Sequence, residues 1–504
     1  MSLAKRYAFK LLANCATVPV YLVMEAILPR ALGPRAYGEY SFATSLFQQC
    51  MGFLDMGSST CLYNALSRRR HESGLISFYG RIVLLVLALS SLMASCLLYE
   101  PLGELLMPHI PLWLAPLAAL WAFLTWLGRV LRSINDAFGA TVPSELARTV
   151  LSIGGLFLLI ILFWTDSLNT LTLFVQQYLV LLLMALAFWL VVRREHKTIA
   201  WKLALVEAQG YRREFFNYSH PLFVQALLSF AFISGERWLL QCFYGSAEQG
   251  FFALSQKVGM ACFLFVSAMT PLVMRELSIA WGQNNSAHMG RLIERFAPML
   301  YMVAAYFSCF TLAEAPALVR LFGGAEFAHA LIPVQIMALY PMHQTYGQIA
   351  GSFFHATNRT RLLRNLTALE CLYGFVASWL LLAPPQYLGL HLGATGLAIK
   401  YVLVQFISVS IYLWLLSRLL PVNFWRSLLH QFAAPAVLLS LAFLCRFTTI
   451  FAGFGPTDGL LRFIISGLIY SLLVALCLLA VPQLMGASRQ DLREMWVRLR
   501  SGLK

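Results

Sequence analysis

Fourteen runs of apolar residues, each near the ~20 residues a bilayer core requires, constrain this chain more than any motif in it. They fall at about 11–30, 38–65, 79–99, 112–131, 143–164, 168–192, 217–243, 252–274, 296–314, 331–354, 365–383, 392–416, 430–450 and 460–481. Inside hydrocarbon every backbone polar group must be satisfied internally, so a spanning chain is a helix bundle or a closed barrel. A barrel would show ~10-residue segments of alternating polarity, and these runs are continuous. The expected fold class is an all-α integral membrane protein. Composition agrees: the chain is 60% hydrophobic and only 12% charged, where a soluble domain is nearer half apolar and a quarter charged. The start, MSLAKRYAFKLLANCATVPVYLVMEAIL, sets basic residues before a long apolar run. It reads as a signal anchor and first span. The cysteines are scattered singly, without metal-ligand spacing, and read as packing residues.

Lysine and arginine set the orientation. With the N-terminus inside, the inner segments and inner span ends hold 27 of the 37 basic residues, and the outer side holds five. Both termini are therefore expected in the cytoplasm. The net charge of +15 then points to an anionic inner leaflet as partner of the basic loops, and not to nucleic acid.

A repeat organises the spans. Residues 27–59, ILPRALGPRAYGEYSFATSLFQQCMGFLDMGSS, read as the outer end of one span, a tight turn at Gly33-Pro34 and Gly38, and most of the next span. Residues 243–265, FYGSAEQGFFALSQKVGMACFLF, do the same. At an offset of 212, Gly33 meets Gly245, Gly38 meets Gly250, Tyr40 meets Phe252, Cys50 meets Cys262 and Phe53 meets Phe265. Spans 1 and 7 correspond, so the copies share one orientation. Two six-helix lobes related by an axis along the membrane normal follow. The expected division is a lobe at 1–192, a basic cytoplasmic linker at 193–216, a lobe at 217–416, helices 13 and 14 at 417–482, and a basic amphipathic tail at 483–504. Ile199, Leu203 and Val206 in the linker, and Leu492, Trp496, Leu499 and Leu503 in the tail, recur at helical spacing. Each set fits an interfacial helix or, as the alternative, a solvated segment.

The run Pro29-Arg30-Ala31-Leu32-Gly33-Pro34-Arg35-Ala36-Tyr37-Gly38-Glu39-Tyr40 resembles the opening of polysaccharide-transporter flippases. So do Asp55-Met56-Gly57, Glu236-Arg237-Trp238, Gly245 and Gly250-Phe251-Phe252-Ala253. These are similar to the Wzx-type branch of the multidrug/oligosaccharidyl-lipid/polysaccharide exporter superfamily, whose fourteen-span, MATE-like layout agrees over the whole chain. The sequence departs from the pattern at Glu236, where family members often carry aspartate. The resemblance implies a flippase of the bacterial inner membrane. It would move a lipid-linked oligosaccharide on undecaprenyl pyrophosphate from the inner to the outer leaflet, for O-antigen, capsule or exopolysaccharide. Membrane lipids, and polysaccharide polymerase or assembly proteins, are the partners it implies. No cofactor is called for.

A pyrophosphate crosses hydrocarbon at great cost, about 20 kcal/mol for one ion in the idealised Born limit. A path lined by cations lowers that cost, and charges within spans face the bundle interior. The candidates for substrate binding are Arg237, Lys257, Lys400 and Arg148. Arg81 and Arg148 stand near inner span ends, where snorkelling is the alternative. Lys257 stands about five residues from an outer end, so it can snorkel or line a cavity, whereas Lys400 lies deep in its span. The acids Glu25, Asp55, Glu236 and Glu370 are candidates for gating or ion coupling. Glu25 aligns with Arg237 under the 212-residue offset, so the two can pair across a cleft; otherwise Glu236 and Arg237 each pair locally. Asp55 either caps a break at Gly57 or holds a proton or ion.

No GxxxxGK[ST] loop exists to bind ATP. Coupling to an ion gradient remains, with ~2.3 kcal/mol per charge per 100 mV. A drug exporter of the multidrug and toxin extrusion type is the alternative transporter. A polymerase, ligase or glycosyltransferase would need an armed outer loop, and the outer segments, about 100–111 and 315–330, are short and carry no catalytic constellation.

Overall fold

Among the described residues every regular element is helical, as the continuous apolar runs require. The computed structural model describes residues 3–69, 72–195, 205–451 and 459–486. Among these, ten helices are long and apolar enough to cross a membrane by length and composition, and the chain is a multi-pass membrane protein. Backbone packing divides it into two units, Met1–Gly250 and Phe251–Lys504. Residues 199 and 203, and the tail at 492–503, lie outside the described residues.

The first unit contains α1 (Leu3–Asp55), α2 (Ser58–Arg68), α3 (Ser73–Leu97), α4 (Glu100–Leu106), α5 (Leu114–Phe138), α6 (Thr141–Trp164), α7 (Thr170–Glu195) and α8 (Leu205–Tyr244). The first expected span and most of the second fall in α1. Inside it Gly33 alone is non-helical, at φ 72° and ψ 170°, a conformation open to glycine. Gly245, 212 residues later, has φ 76°. The same backbone device therefore recurs where the repeat places it.

Gly38 has a different use from the expected one. It lies in a helical stretch of α1, and a Cβ there would stand 1.7 Å from the Ser246 carbonyl oxygen. At Gly250 a Cβ would stand 2.1 Å from the Pro34 carbonyl oxygen. Pro34 and Ser246 are themselves one offset apart, so the contact is reciprocal. These two glycines serve close backbone approach, as small residues do between membrane helices.

Buried amides and a phenol lace the remaining helices together. Asn135 of α5 donates to the Phe188 carbonyl of α7 at 3.1 Å. Gln176 of α7 donates to Gly155 of α6 at 2.9 Å, and Tyr178 to Leu117 of α5 at 2.6 Å. With lipid outside, such bonds replace part of the hydrophobic drive available in water.

The second unit holds α9 (Ser246–Ala261, which begins in the first unit), α10 (Leu264–Gly282), α11 (Ser286–Ala313), α12 (Ala315–Gly323), α13 (Leu331–Met337), α14 (Tyr340–Ala356), α15 (Thr360–Leu382), α16 (Gly393–Leu419), α17 (Phe424–Phe451) and α18 (Gly459–Ala480). Two expected spans of this unit are broken. The eighth divides into α9 and α10, and the tenth into α13 and α14, where Pro341 sits in the first turn of α14 and has no N–H to donate back to the last residue of α13. The central α11 buries Ala304, Ala305 and Ala313 completely, and these small faces admit its neighbours closely. Tyr301 of α11 donates to the Gln431 carbonyl of α17 at 2.9 Å. Tyr470 of α18 donates to the Tyr306 carbonyl of α11 at 3.1 Å.

Candidate functional site

Charges inside membrane-length helices demand partners, and the first unit supplies them in three places. Glu236 and Arg237 lie late in α8, 5% and 6% exposed. Arg237 Nη1 donates to Ser41 Oγ at 3.2 Å, and its carbonyl accepts from the buried Gln249 amide. Tyr37 is buried and lies within electrostatic reach of both the Glu25 carboxylate and the Arg237 guanidinium. Tyr37 and Ser41 follow the break at Gly33 by one turn and two, so they share a face. The unlike charges of the first and seventh spans thus converge on one phenol.

The second place is a buried carboxylate. Glu145 of α6 is fully buried. Its Oε1 accepts from Arg132 Nε of α5 at 2.8 Å, and its Oε2 is 2.8 Å from Arg148 Nη2. Arg148, a sequence candidate for substrate, is held there by Glu145.

The third is the break between α1 and α2. Met56 (φ 41°) and Gly57 (φ 76°) leave the helix. Asp55 Oδ1 accepts from Ser58 Oγ at 3.1 Å, the Ser59 amide at 3.2 Å and Trp126 Nε1 at 3.0 Å, while Oδ2 accepts from Ser59 Oγ at 2.8 Å. These bonds are what the capping alternative for Asp55 requires. At the far end of α2, Arg69 Nη2 donates to both carboxylate oxygens of Glu214 of α8, at 2.7 and 2.8 Å. Tyr211 donates to Glu72 at 2.7 Å. The hydrogen bonds to Glu214 hold the Arg69 guanidinium above its ordinary pKa.

In the second unit Lys400 of α16 is buried, 6% exposed. Its ammonium lies 4.6 Å from the Tyr401 ring centroid. The tip of its side chain packs on α15 at Gly374, where a Cβ would meet Cε at 3.5 Å and Nζ at 3.7 Å. Glu370, one turn earlier on α15, accepts from Tyr412 of α16 at 3.1 Å. Both candidates therefore belong to the α15–α16 interface. Lys257 lies on an exposed face of α9. Elsewhere in this unit Glu314, fully buried, pairs with buried Arg462 and accepts from Ser466 Oγ at 2.9 Å. Arg446 donates to the Ala313 carbonyl at 2.7 Å.

A family profile described as "Polysaccharide biosynthesis protein" matches residues 3–274. The chain belongs to this family. No curated protein sequence matches it. Among solved structures, "Lipid II flippase MurJ, inward closed conformation" is similar with a TM-score of 0.65 and 13% identity, covering 93% of this chain and 98% of its own. An inward-facing MATE family multidrug resistance transporter of the MOP superfamily follows with 0.61 and 14%, covering 83% and 99%. A mutant of the Vibrio cholerae MATE transporter VcmN has 0.52 and 18%, covering 82% and 95%. This polysaccharide biosynthesis protein shares their fold.

Four residues of these networks escaped the candidates drawn from the sequence. Glu145 stands three residues before Arg148, the spacing of a helical ion pair, and that signal was available. Tyr37 lies inside the motif that carries the family resemblance. Glu314 and Arg462 are separated by 148 residues, and nothing local announces them.

Proposed function

We propose that this membrane protein flips a lipid-linked oligosaccharide of the undecaprenyl-pyrophosphate type from the cytoplasmic to the outer leaflet of the bacterial inner membrane. The product would feed O-antigen, capsule or exopolysaccharide synthesis, and polysaccharide polymerase or assembly proteins would act after it. The observation that carries the reading is Arg237, a cation buried late in α8, bonded to Ser41 and within electrostatic reach of Tyr37. Arginine suits a pyrophosphate through its bidentate fork, lysine as a point charge. Lys257 and Lys400 are assigned to the same cationic path, and Arg148 joins it if substrate competes with Glu145. Glu25, Asp55, Glu236 and Glu370 are assigned to gating or ion coupling. Two lobes, 1–192 and 217–416, would rock about the axis that relates Gly33 to Gly245, with 193–216 as linker, helices 417–482 added outside the symmetry, and 483–504 as a cytoplasmic tail.

The MATE-type exporter is the second reading. The observation that bears on the choice is coverage. The MurJ structure covers a tenth more of this chain than the MATE structure does. A mass spectrum of lipid-linked sugars in a strain lacking the chain tests the proposal: an undecaprenyl-pyrophosphate oligosaccharide should accumulate. Lys400→Ala and Arg237→Ala should fail to clear it while remaining folded, and Arg237→Lys should clear it in part. No accumulation, together with heightened drug sensitivity, would favour the exporter.

A further inference from the structure

A cavity of about 310 Å³ opens within the first unit where α1 ends, α2 begins and α5 passes. Gly52 adds to the space, since a Cβ there would meet nothing within 4 Å. The wall from α5 carries Trp126, Arg129 and Ser133, spaced i, i+3 and i+7 on one helical face. The wall from α2 carries Ser59, Thr60 and Tyr63.

The polar groups of this cavity are unequally committed. Asp55 takes four hydrogen bonds, as described above, and is a fixed negative wall. Arg129 is exposed, and among the described residues no ion-pair or hydrogen-bond partner occupies it. Ser133 Oγ is buried without a hydrogen-bond partner. Tyr63 presents a ring that is 40% exposed. Arg129 precedes Phe138, the last residue of α5, by nine residues, about 13 Å along the axis.

Each ligand class meets these groups differently. A diphosphate would bond Arg129 and be repelled by Asp55. A cationic drug would be repelled by Arg129, and an apolar one would leave Arg129 and Ser133 without partners. A hydroxyl-rich ring can accept from Arg129, bond Ser133 and Thr60, and lay its C–H face on Tyr63. The volume is at the lower end of ligand pockets, ~300–1,000 Å³, which suits one ring and not a chain.

We propose that this cavity holds a single sugar ring of the lipid-linked oligosaccharide, which makes Tyr63, Arg129 and Ser133 specificity-determining residues. The proposal rests on the flippase reading above. Two probes test it on the purified full chain by native mass spectrometry: the lipid-linked oligosaccharide extracted from a strain lacking the chain, and undecaprenyl pyrophosphate without sugar. Arg129→Gln and Tyr63→Ala change exposed side chains and should leave the thermal midpoint in detergent unchanged. Each should weaken the sugar-bearing lipid on the order of tenfold, the equivalent of one good hydrogen bond or ring contact, and leave the bare pyrophosphate unaffected. Equal weakening of both probes would mean that the cavity grips phosphate, and weakening of neither would mean that it is only packing space. Either result overturns the proposal. If the unsubstituted protein binds neither probe, the flippase reading itself fails and takes this site with it.

Discussion

Replacing Gly38 by alanine should force apart two backbones that now touch. The added Cβ would stand 1.7 Å from the Ser246 carbonyl oxygen and 2.8 Å from the Gly250 nitrogen. Real Cβ contacts essentially never fall below 3.0 Å, so the segments must part by about 1.3 Å. The obstacle is a carbonyl, which cannot swing aside as a side chain does. Overpacking of this kind costs about 1–3 kcal/mol. Gly250→Ala meets the Pro34 carbonyl at 2.1 Å, a smaller intrusion, and should cost less. The double variant should cost less than the sum, because segments already parted for one methyl accommodate part of the other. Gly52→Ala is the control, with nothing within 4 Å. The assay is the thermal midpoint of the purified protein in detergent, followed by size-exclusion chromatography. The midpoint should fall most for Gly38→Ala, less for Gly250→Ala, and not for Gly52→Ala. A Gly38→Ala protein as stable as Gly52→Ala would refute the close contact. Strict additivity in the double variant would refute its being one shared contact.

Three further outcomes are expected. Glu314→Gln or Arg462→Gln alone should destabilise by about 3–5 kcal/mol, since each leaves a buried charge alone, while an apolar pair at both positions should recover most of the loss; thermal midpoints in detergent decide this. Glu25→Gln and Arg237→Gln should each impair transport, and the double variant should be less impaired than the sum; a double-mutant cycle with coupling near zero would show that Tyr37 does not join them into one unit. A cysteine placed at Arg35, exposed just beyond the Gly33 break, in a background without reactive thiols, should take an impermeant label from outside and one at Glu72 should not; outside labelling at Glu72 would reverse the orientation.

The fold was legible because its determinants are local. Each apolar run declares a helix by length alone, and Gly33 and Gly245 declare their breaks by residue type. The site was legible only where partners lie close in sequence. Asp55 could be read as a cap because Gly57 and two serines follow at once. Arg462 reads from the sequence as an outer basic residue at a span end. Packing buries it against Glu314, and charge counting has no access to a partner 148 residues away. Lys257 and Lys400 illustrate the same limit. Both are lysines in apolar runs, yet one helix exposes its lysine and the other buries it. A helix apolar on all sides carries no stripe from which to tell its faces.

The repeat shows why glycine positions match between its copies while charged positions do not. A two-fold relation brings a residue close to its own counterpart only where that residue lies near the axis. Glycine tolerates this, and Gly38 and Gly250 meet reciprocal backbone across the relation. Two carboxylates or two guanidinia brought together in a low-dielectric bundle would repel, and desolvation would worsen the cost. A duplicated membrane chain can therefore keep its backbone devices in both copies but must break identity at charges near the axis. Glu25 and Arg237 are such a break: equivalent under the 212-residue offset, opposite in sign, and both within reach of Tyr37. The backbone is built twice while the charge is built once, so the two copies are not interchangeable electrically.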